Sequence, residues 1–88
     1  MDEKKYALYN TKRFEKDFSG LDKAVRENAK AKLPDLEANP YRFKALHGRL
    51  KGKWSMRVGN YRILYEIHED AKEVWLLYVE HRGNVYDL

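Results

Sequence analysis

The chain has 88 residues, 43% apolar and 36% charged, with no cysteine. That composition suits one domain, residues 1–88, with one modest core, and it excludes a disordered chain, a disulfide framework and a cysteine-based zinc site. No apolar run approaches the roughly 18 residues that span a bilayer, and Met1–Lys5 lacks the form of a signal peptide, so the expected location is the cytoplasm with no membrane partner.

Tyr6-Ala7-Leu8-Tyr9 reads as a short first strand. Thr11 is a plausible helix N-cap, with Asn10 competing for the role. Phe14, Phe18 and Leu21 follow at helical spacing, and Ser19-Gly20 ends or bends that helix. Asp22 can cap a second helix, along which Leu21, Val25, Ala29, Leu33 and Leu36 form an apolar stripe. Two such amphipathic helices need a sheet to cover them. Pro34 has no N–H and is expected to end or kink the second helix near Leu33, and Asn39-Pro40 is a second stop.

Tyr41 to Gly52 reads as a basic connector. Beyond it, Lys53 to His68 reads as a β-hairpin, two alternating runs joined at Gly59-Asn60. A two-residue loop sets Val58 against Tyr61, Met56 against Ile63 and Trp54 against Tyr65 on one apolar face. It also sets Arg57 against Arg62 on the other, and a one-residue slip would separate them. His68 to Lys72 is a polar turn. Glu73 to His81 is the most apolar strand, which suits an interior place in the sheet. The expected fold is therefore α+β, in the order β-α-α-β-β-β, with a twisted, mainly antiparallel sheet and the two N-terminal helices packed on it.

The formal charge of +4 is unevenly spread. Residues 38–65 carry seven basic side chains (Arg42, Lys44, Arg49, Lys51, Lys53, Arg57 and Arg62) and no acidic one, while the rest of the chain holds 11 basic and 14 acidic. A localised basic patch suits a polyanion such as nucleic acid; the competing explanation is that lysines discourage edge-to-edge strand pairing. Two arginines directly across a strand pair repel each other, so an anion is expected between them. Arg57, Arg62 and Arg82 on one concave face would hold a phosphate and stabilise charge growing on it, unless they are simply solvated surface arginines. His81 can act as an acid or base and Tyr86 can stack on a base, although singly both read more readily as packing residues. Trp54, Tyr61, Tyr65, Trp75 and Tyr78 are expected in the core by their alternation. There is no metal-ligand spacing, phosphate loop or nucleophile motif, so no metal or other cofactor is expected.

Nearly the whole chain resembles the RelE/ParE toxin superfamily of prokaryotic toxin–antitoxin modules, particularly its RelE-like branch. The most specific part is L-x-G-x-x-x-x-R-V-G-x-Y-R-I-L-Y-E-I, Leu50 to Ile67, followed by a strand and H-R-x-x-x-Y, His81 to Tyr86. The segment Thr11 to Asp17 before the helices and Asn39-Pro40 after them fit as well. The resemblance implies a small RelE-like domain that enters the ribosomal A site and cuts mRNA by metal-free attack of a ribose 2′-OH on its phosphate. It makes Arg62 the phosphate and transition-state arginine, Arg82 the leaving-group arginine, Tyr86 the residue that stacks on or orients the nucleotide, and Arg57 a further phosphate contact. His81 falls where some relatives carry a functional histidine. Lys44, Arg49, Lys51 and Lys53 would contact the RNA backbone. A cognate RelB-like antitoxin is implied, with DNA reached only indirectly through the toxin–antitoxin complex. RelE-like enzymes often carry two basic residues two apart on the second strand; here one position is Arg57 and the other is Ser55, which leaves the general base unassigned. The alternatives are a ParE-like toxin that inhibits DNA gyrase by protein contact without cutting RNA, or a degenerate, inactive toxin.

Overall fold

The computed structural model describes residues 4–81. Its elements are β1 (Ala7–Asn10), α1 (Lys12–Ser19), α2 (Lys23–Ala38), β2 (Lys44–Ala45), β3 (Trp54–Val58), β4 (Tyr61–His68) and β5 (Glu73–His81), with three short 3₁₀ turns between them. The strands form one sheet in the order β1-β5-β4-β3-β2. Only β1 runs parallel to its neighbour, β5; the other pairs are antiparallel. The expected layout holds, with an added fifth strand. The connector contributes β2, whose Lys44 and Ala45 pair with Ser55 and Trp54. A two-residue strand is too short to show a period in sequence.

Both helices pack on one face of the sheet. Phe14 of α1 and Ala29 and Leu36 of α2 share a buried core with Met56, Val58, Ile63, Tyr65, Val74 and Leu76. α1 starts where expected: Thr11 Oγ1 accepts the Phe14 N–H at 3.1 Å. Asp22 occupies the N-cap position of α2 without a capping side-chain bond. Of the end or kink expected at Pro34, the end does not occur: α2 continues to Ala38. Leu36 beyond the proline is fully buried, and the next turn closes through the Asn39 N–H to Asp35 O at 2.9 Å. Burial of that last turn outweighs the one backbone bond that proline removes. Pro34 itself is exposed, so water can serve the Lys30 carbonyl left without an N–H.

The hairpin has the register that a two-residue loop requires, Trp54↔Tyr65 through Val58↔Tyr61. Gly59 lies at φ +59°, and among the described residues Lys72 is the only non-glycine with positive φ. A positive φ at the first central position and not at the second is the II′ pattern, whose twist matches that of the strands.

A β-bulge interrupts the β4–β5 ladder. Leu64 pairs with Tyr78 and Tyr65 with Leu76, so Leu77 is the extra residue. Before it, Val74 and Leu76 point to the core; after it, Val79 does, opposite Ile63. The bulge reverses which residues of β5 face the helices. It is tied down from α1: the Thr11 hydroxyl lies 2.9 Å from both the Leu76 and Leu77 carbonyl oxygens, and the Thr11 N–H donates to Leu76 O at 3.1 Å. Further along the same strand, an Asp17 carboxylate oxygen accepts the Val79 N–H at 3.1 Å. A backbone donor that β1 is too short to reach is thus satisfied by a side chain.

Candidate functional site

On the sheet face away from the helices, adjacent strands contribute Arg57, Arg62 and Glu80 to one row. Arg57 pairs with Arg62, and Arg62 with Glu80. The two arginines do face each other, as the loop length requires. The structure supplies part of the expected counter-charge itself: Glu80 Oε1 accepts from Arg62 Nε at 2.9 Å and lies 2.8 Å from Nη2 in an ion pair. Arg57 turns the other way and donates from Nε to the Gly59 carbonyl at 3.1 Å, closing over the hairpin turn. Repulsion across the pair is relieved by neutralising one arginine and exposing the other.

The Arg62 and Glu80 side chains are 18% and 33% exposed. A partly desolvated pair at this depth fixes orientation more than it adds stability. Both contacts use the Nε/Nη2 edge of the guanidinium. Arg57 is exposed. The row carries two fixed positive charges and one negative, with a donor fork at each arginine suited to phosphate oxygens.

The next row is Lys44, Ser55, Leu64 and Tyr78. Ser55 and Leu64 are buried, so Ser55 offers this surface neither a base nor a charge. Lys44, its partner on β2, is exposed and supplies a cation one row from the arginines. The Arg13 guanidinium of α1 lies 4.4 Å from the Tyr78 ring centroid, a cation–π contact. Burial, followed by the nearby Glu80 carboxylate, raises the Tyr78 hydroxyl above its ordinary pKa, while Arg13 and Arg62 oppose that shift. Arg49 and Lys51 are exposed in the turn that precedes β3, and Lys53 is half-buried just before the strand.

His81 is not brought to this row. It pairs with Tyr61, two residues from Ile63, so strand alternation places it on the helix-side face. Its ring meets Tyr61 edge-on with centroids 4.9 Å apart. Arg82 and Tyr86 lie outside the described residues. Among the described residues no group of three or more His, Cys, Asp or Glu side chains is placed to hold a metal ion, and no helix is long and apolar enough to cross a membrane.

Glu80 is the residue that sequence reasoning missed. Its place beside Arg62 depends on the Leu77 bulge; without the extra residue, alternation from Trp75 would have turned Val79 to this face. Three of the five aromatics expected in the core lie outside it, Tyr61 being half-buried against the His81 ring. Trp75 stacks between Tyr9 and His68 on the face away from the helices, at centroid distances of 5.3 and 5.6 Å, and Tyr78 lies under Arg13. Tyr65 is fully buried as expected, with its hydroxyl donating to the Pro40 carbonyl at 2.6 Å. Trp54 packs against the core edge.

A second polar cluster gathers at the opposite end of β4. The hydroxyls of Tyr6 and Tyr41 both donate to Glu69 Oε1, at 2.8 and 2.7 Å, and the Lys72 ammonium bonds Glu69 Oε2. These bonds, Lys72 first, hold the Glu69 carboxyl down at about 2. Conversely, the bond to Glu69 pushes the Tyr41 hydroxyl up to about 12. This cluster clamps the start of β1, the segment after α2 and the β4–β5 turn together.

Residues 8–86 match the profile of a family described as ParE toxin of type II toxin-antitoxin system, parDE. The toxin RelG of Mycobacterium tuberculosis is 42% identical over 53 residues, which cover 59% of this chain and 61% of that protein, so the chain spans about three-fifths of the curated relative it matches. The RelBE2 toxin–antitoxin complex of M. tuberculosis contains a chain that is 32% identical with a TM-score of 0.77, the match covering 88% of this chain and 98% of that one. The archaeal RelE–RelB complex of Pyrococcus horikoshii gives 25% identity and a TM-score of 0.76 over 90% of this chain and 97% of that one. The isolated RelE toxin of E. coli gives 26% and 0.75 over 93% and 92%.

Proposed function

The chain belongs to the RelE/ParE superfamily of type II toxin–antitoxin toxins, on its RelE-like side, and from that premise we propose that it is a ribosome-dependent mRNA endoribonuclease. The observation that carries the proposal is the Arg57–Arg62 pair across the hairpin, on a face reinforced by Lys44. Two guanidinium forks on adjacent strands suit a bridging phosphate diester, and the surrounding cations suit the phosphates on either side.

The reaction is attack of a ribose 2′-OH on its own 3′-phosphate, with expulsion of the 5′-oxygen of the next nucleotide. The nucleophile is internal to the substrate. Arg62, oriented by Glu80, donates to a non-bridging oxygen and stabilises the charge that grows on it in the phosphorane. Arg57 holds the second oxygen or the adjacent phosphate. By resemblance, Arg82 stabilises the leaving oxygen and Tyr86 orients the nucleotide base. Arg49, Lys51 and Lys53 track the RNA backbone, and His81 contributes only if a bound substrate wraps to its side of the sheet. The partner is a RelB-like antitoxin, since the similar solved structures include RelB–RelE complexes, and DNA contact is indirect through that complex.

Arg62→Ala tests the proposal. Loss of one donor aimed at developing charge slows such reactions about 10²–10³-fold, so mRNA cleavage on programmed ribosomes and growth inhibition should both collapse while the fold persists. Full toxicity in Arg62→Ala would refute it. A second reading, gyrase inhibition by protein contact, is favoured by the ParE description of the matching profile. It predicts blocked DNA supercoiling with translation untouched.

A further inference from the structure

We propose that Glu80 is the general base of this site, taking the proton from the attacking ribose 2′-OH. The inference rests on the ribonuclease reading above and supplies the group that Ser55 cannot.

The acceptor must lie on the arginine face, beside the phosphate, with a lone pair directed outward. His81 lies on the other face, and His68 sits at the far end of β4, stacked on Trp75. Glu66 is four residues along β4 from Arg62, at the row of Trp75. Glu80 is the carboxylate in the same row as Arg57 and Arg62. Its hydrogen bond and its ion-pair contact with Arg62 both fall on Oε1. Its side chain is one-third exposed, and Oε2 is the second acceptor of a group already held in place.

The groups around Glu80 are Arg62 from β4, Arg57 from β3 beyond it, Tyr78 two residues back on β5, and, from α1, Arg13 over the Tyr78 ring together with Asp17, which pairs with Arg13 at 3.8 Å and accepts the Val79 N–H. The Arg62 guanidinium fixes the carboxylate within the arginine row. A phosphate bound by Arg62 lies beside Glu80 in the same row, and the 2′-oxygen of its own ribose is adjacent to that phosphate. The O2′–H proton passes to Oε2, the O2′–P bond forms, and the P–O5′ bond breaks. The 5′-oxygen takes a proton from water and Glu80 returns its own to solvent. The products are a 2′,3′-cyclic phosphate and a free 5′-hydroxyl.

The test is Glu80→Gln, which keeps an oxygen to accept from Arg62 while removing basicity. Single-turnover cleavage of mRNA on programmed ribosomes is followed from pH 5.5 to 9 (roughly the window in which a carboxylate base stays ionised). Glu80→Gln should cleave about 10²-fold or more slowly at pH 7, the contribution usual for a general base. The deficit should shrink about tenfold per pH unit as hydroxide takes over the role. Binding to the ribosome should hold or tighten, because a negative charge has been removed from a cationic face. An unchanged rate overturns the proposal. So does a deficit of the same factor at every pH, which would make Glu80 only a positioning residue for Arg62. Should Glu80→Gln lose its thermal transition, Glu80→Ala with added formate replaces it. Formate should restore cleavage where chloride at equal ionic strength does not, and no restoration overturns the assignment. Wild-type protein that leaves mRNA uncut overturns the ribonuclease reading itself, whereas wild-type cleavage with an unaffected Glu80→Gln overturns only the role of Glu80.

Discussion

Thr11→Val should weaken the whole domain, and the cause lies in the sheet more than in the helix. Thr11 Oγ1 accepts the Phe14 N–H at the start of α1 and also lies 2.9 Å from the Leu76 and Leu77 carbonyl oxygens at the β5 bulge. Valine keeps the shape and removes both functions. Loss of an N-cap costs about 1 kcal/mol. Leu76 O keeps the Thr11 backbone N–H, so the second cost is a part-buried Leu77 carbonyl left without its donor, about 1 kcal/mol at the low end of that penalty. The sum is about 2 kcal/mol, or a fall in Tm of about 8–16 °C for a domain this small. Urea titration with a two-state fit measures it, with Thr11→Ser as the control that restores the hydroxyl. Destabilisation under about 0.5 kcal/mol, the size of an ordinary surface change, would show that the hydroxyl does not hold the bulge. A second readout follows β5: contacts between Ile63 and Val79 should weaken as the bulge loosens, and with them the alignment of Glu80 on Arg62.

Two further outcomes are expected. Glu69 has a carboxyl pKa lowered from 4.5 to about 2, so its contribution to stability is fully present above the unfolded value and is lost as the pH falls toward the folded one. The Tm gap between wild type and Glu69→Gln should therefore be largest at neutral pH and narrow steadily through the acidic range below the unfolded value; a gap independent of pH would refute the clamp. Gly59→Ala meets no atom within 4 Å, but Gly59 holds φ +59°, so its cost is conformational, about 1–2 kcal/mol, with Asn60→Ala within about 0.5 kcal/mol as the surface control. An equal effect at both positions in chemical denaturation would contradict the turn assignment.

Much of the fold was legible because it is local. The α1 start follows from Thr11 and the spacing of Phe14 and Phe18. The hairpin register follows from counting outward from Gly59-Asn60, and it carried the Arg57–Arg62 opposition with it. Pro34 misled as a helix end because propensity describes a helix in isolation, and the buried Leu36 beyond it decided otherwise. Trp75 and Tyr78 misled because a run that is apolar on both faces does not say which of them faces the helices.

The sequence by itself determined which residues could form a cationic hairpin, since a strand pair joined by two residues has one register that buries its apolar set. Only the tertiary structure decided what stands beside that hairpin. Glu80 reaches Arg62 because β5 carries one residue too many at Leu77, and that bulge is held by a hydroxyl 65 and 66 residues away in sequence. A contact of that separation leaves no periodic trace in the chain, because its geometry exists only once α1 has docked against the strand.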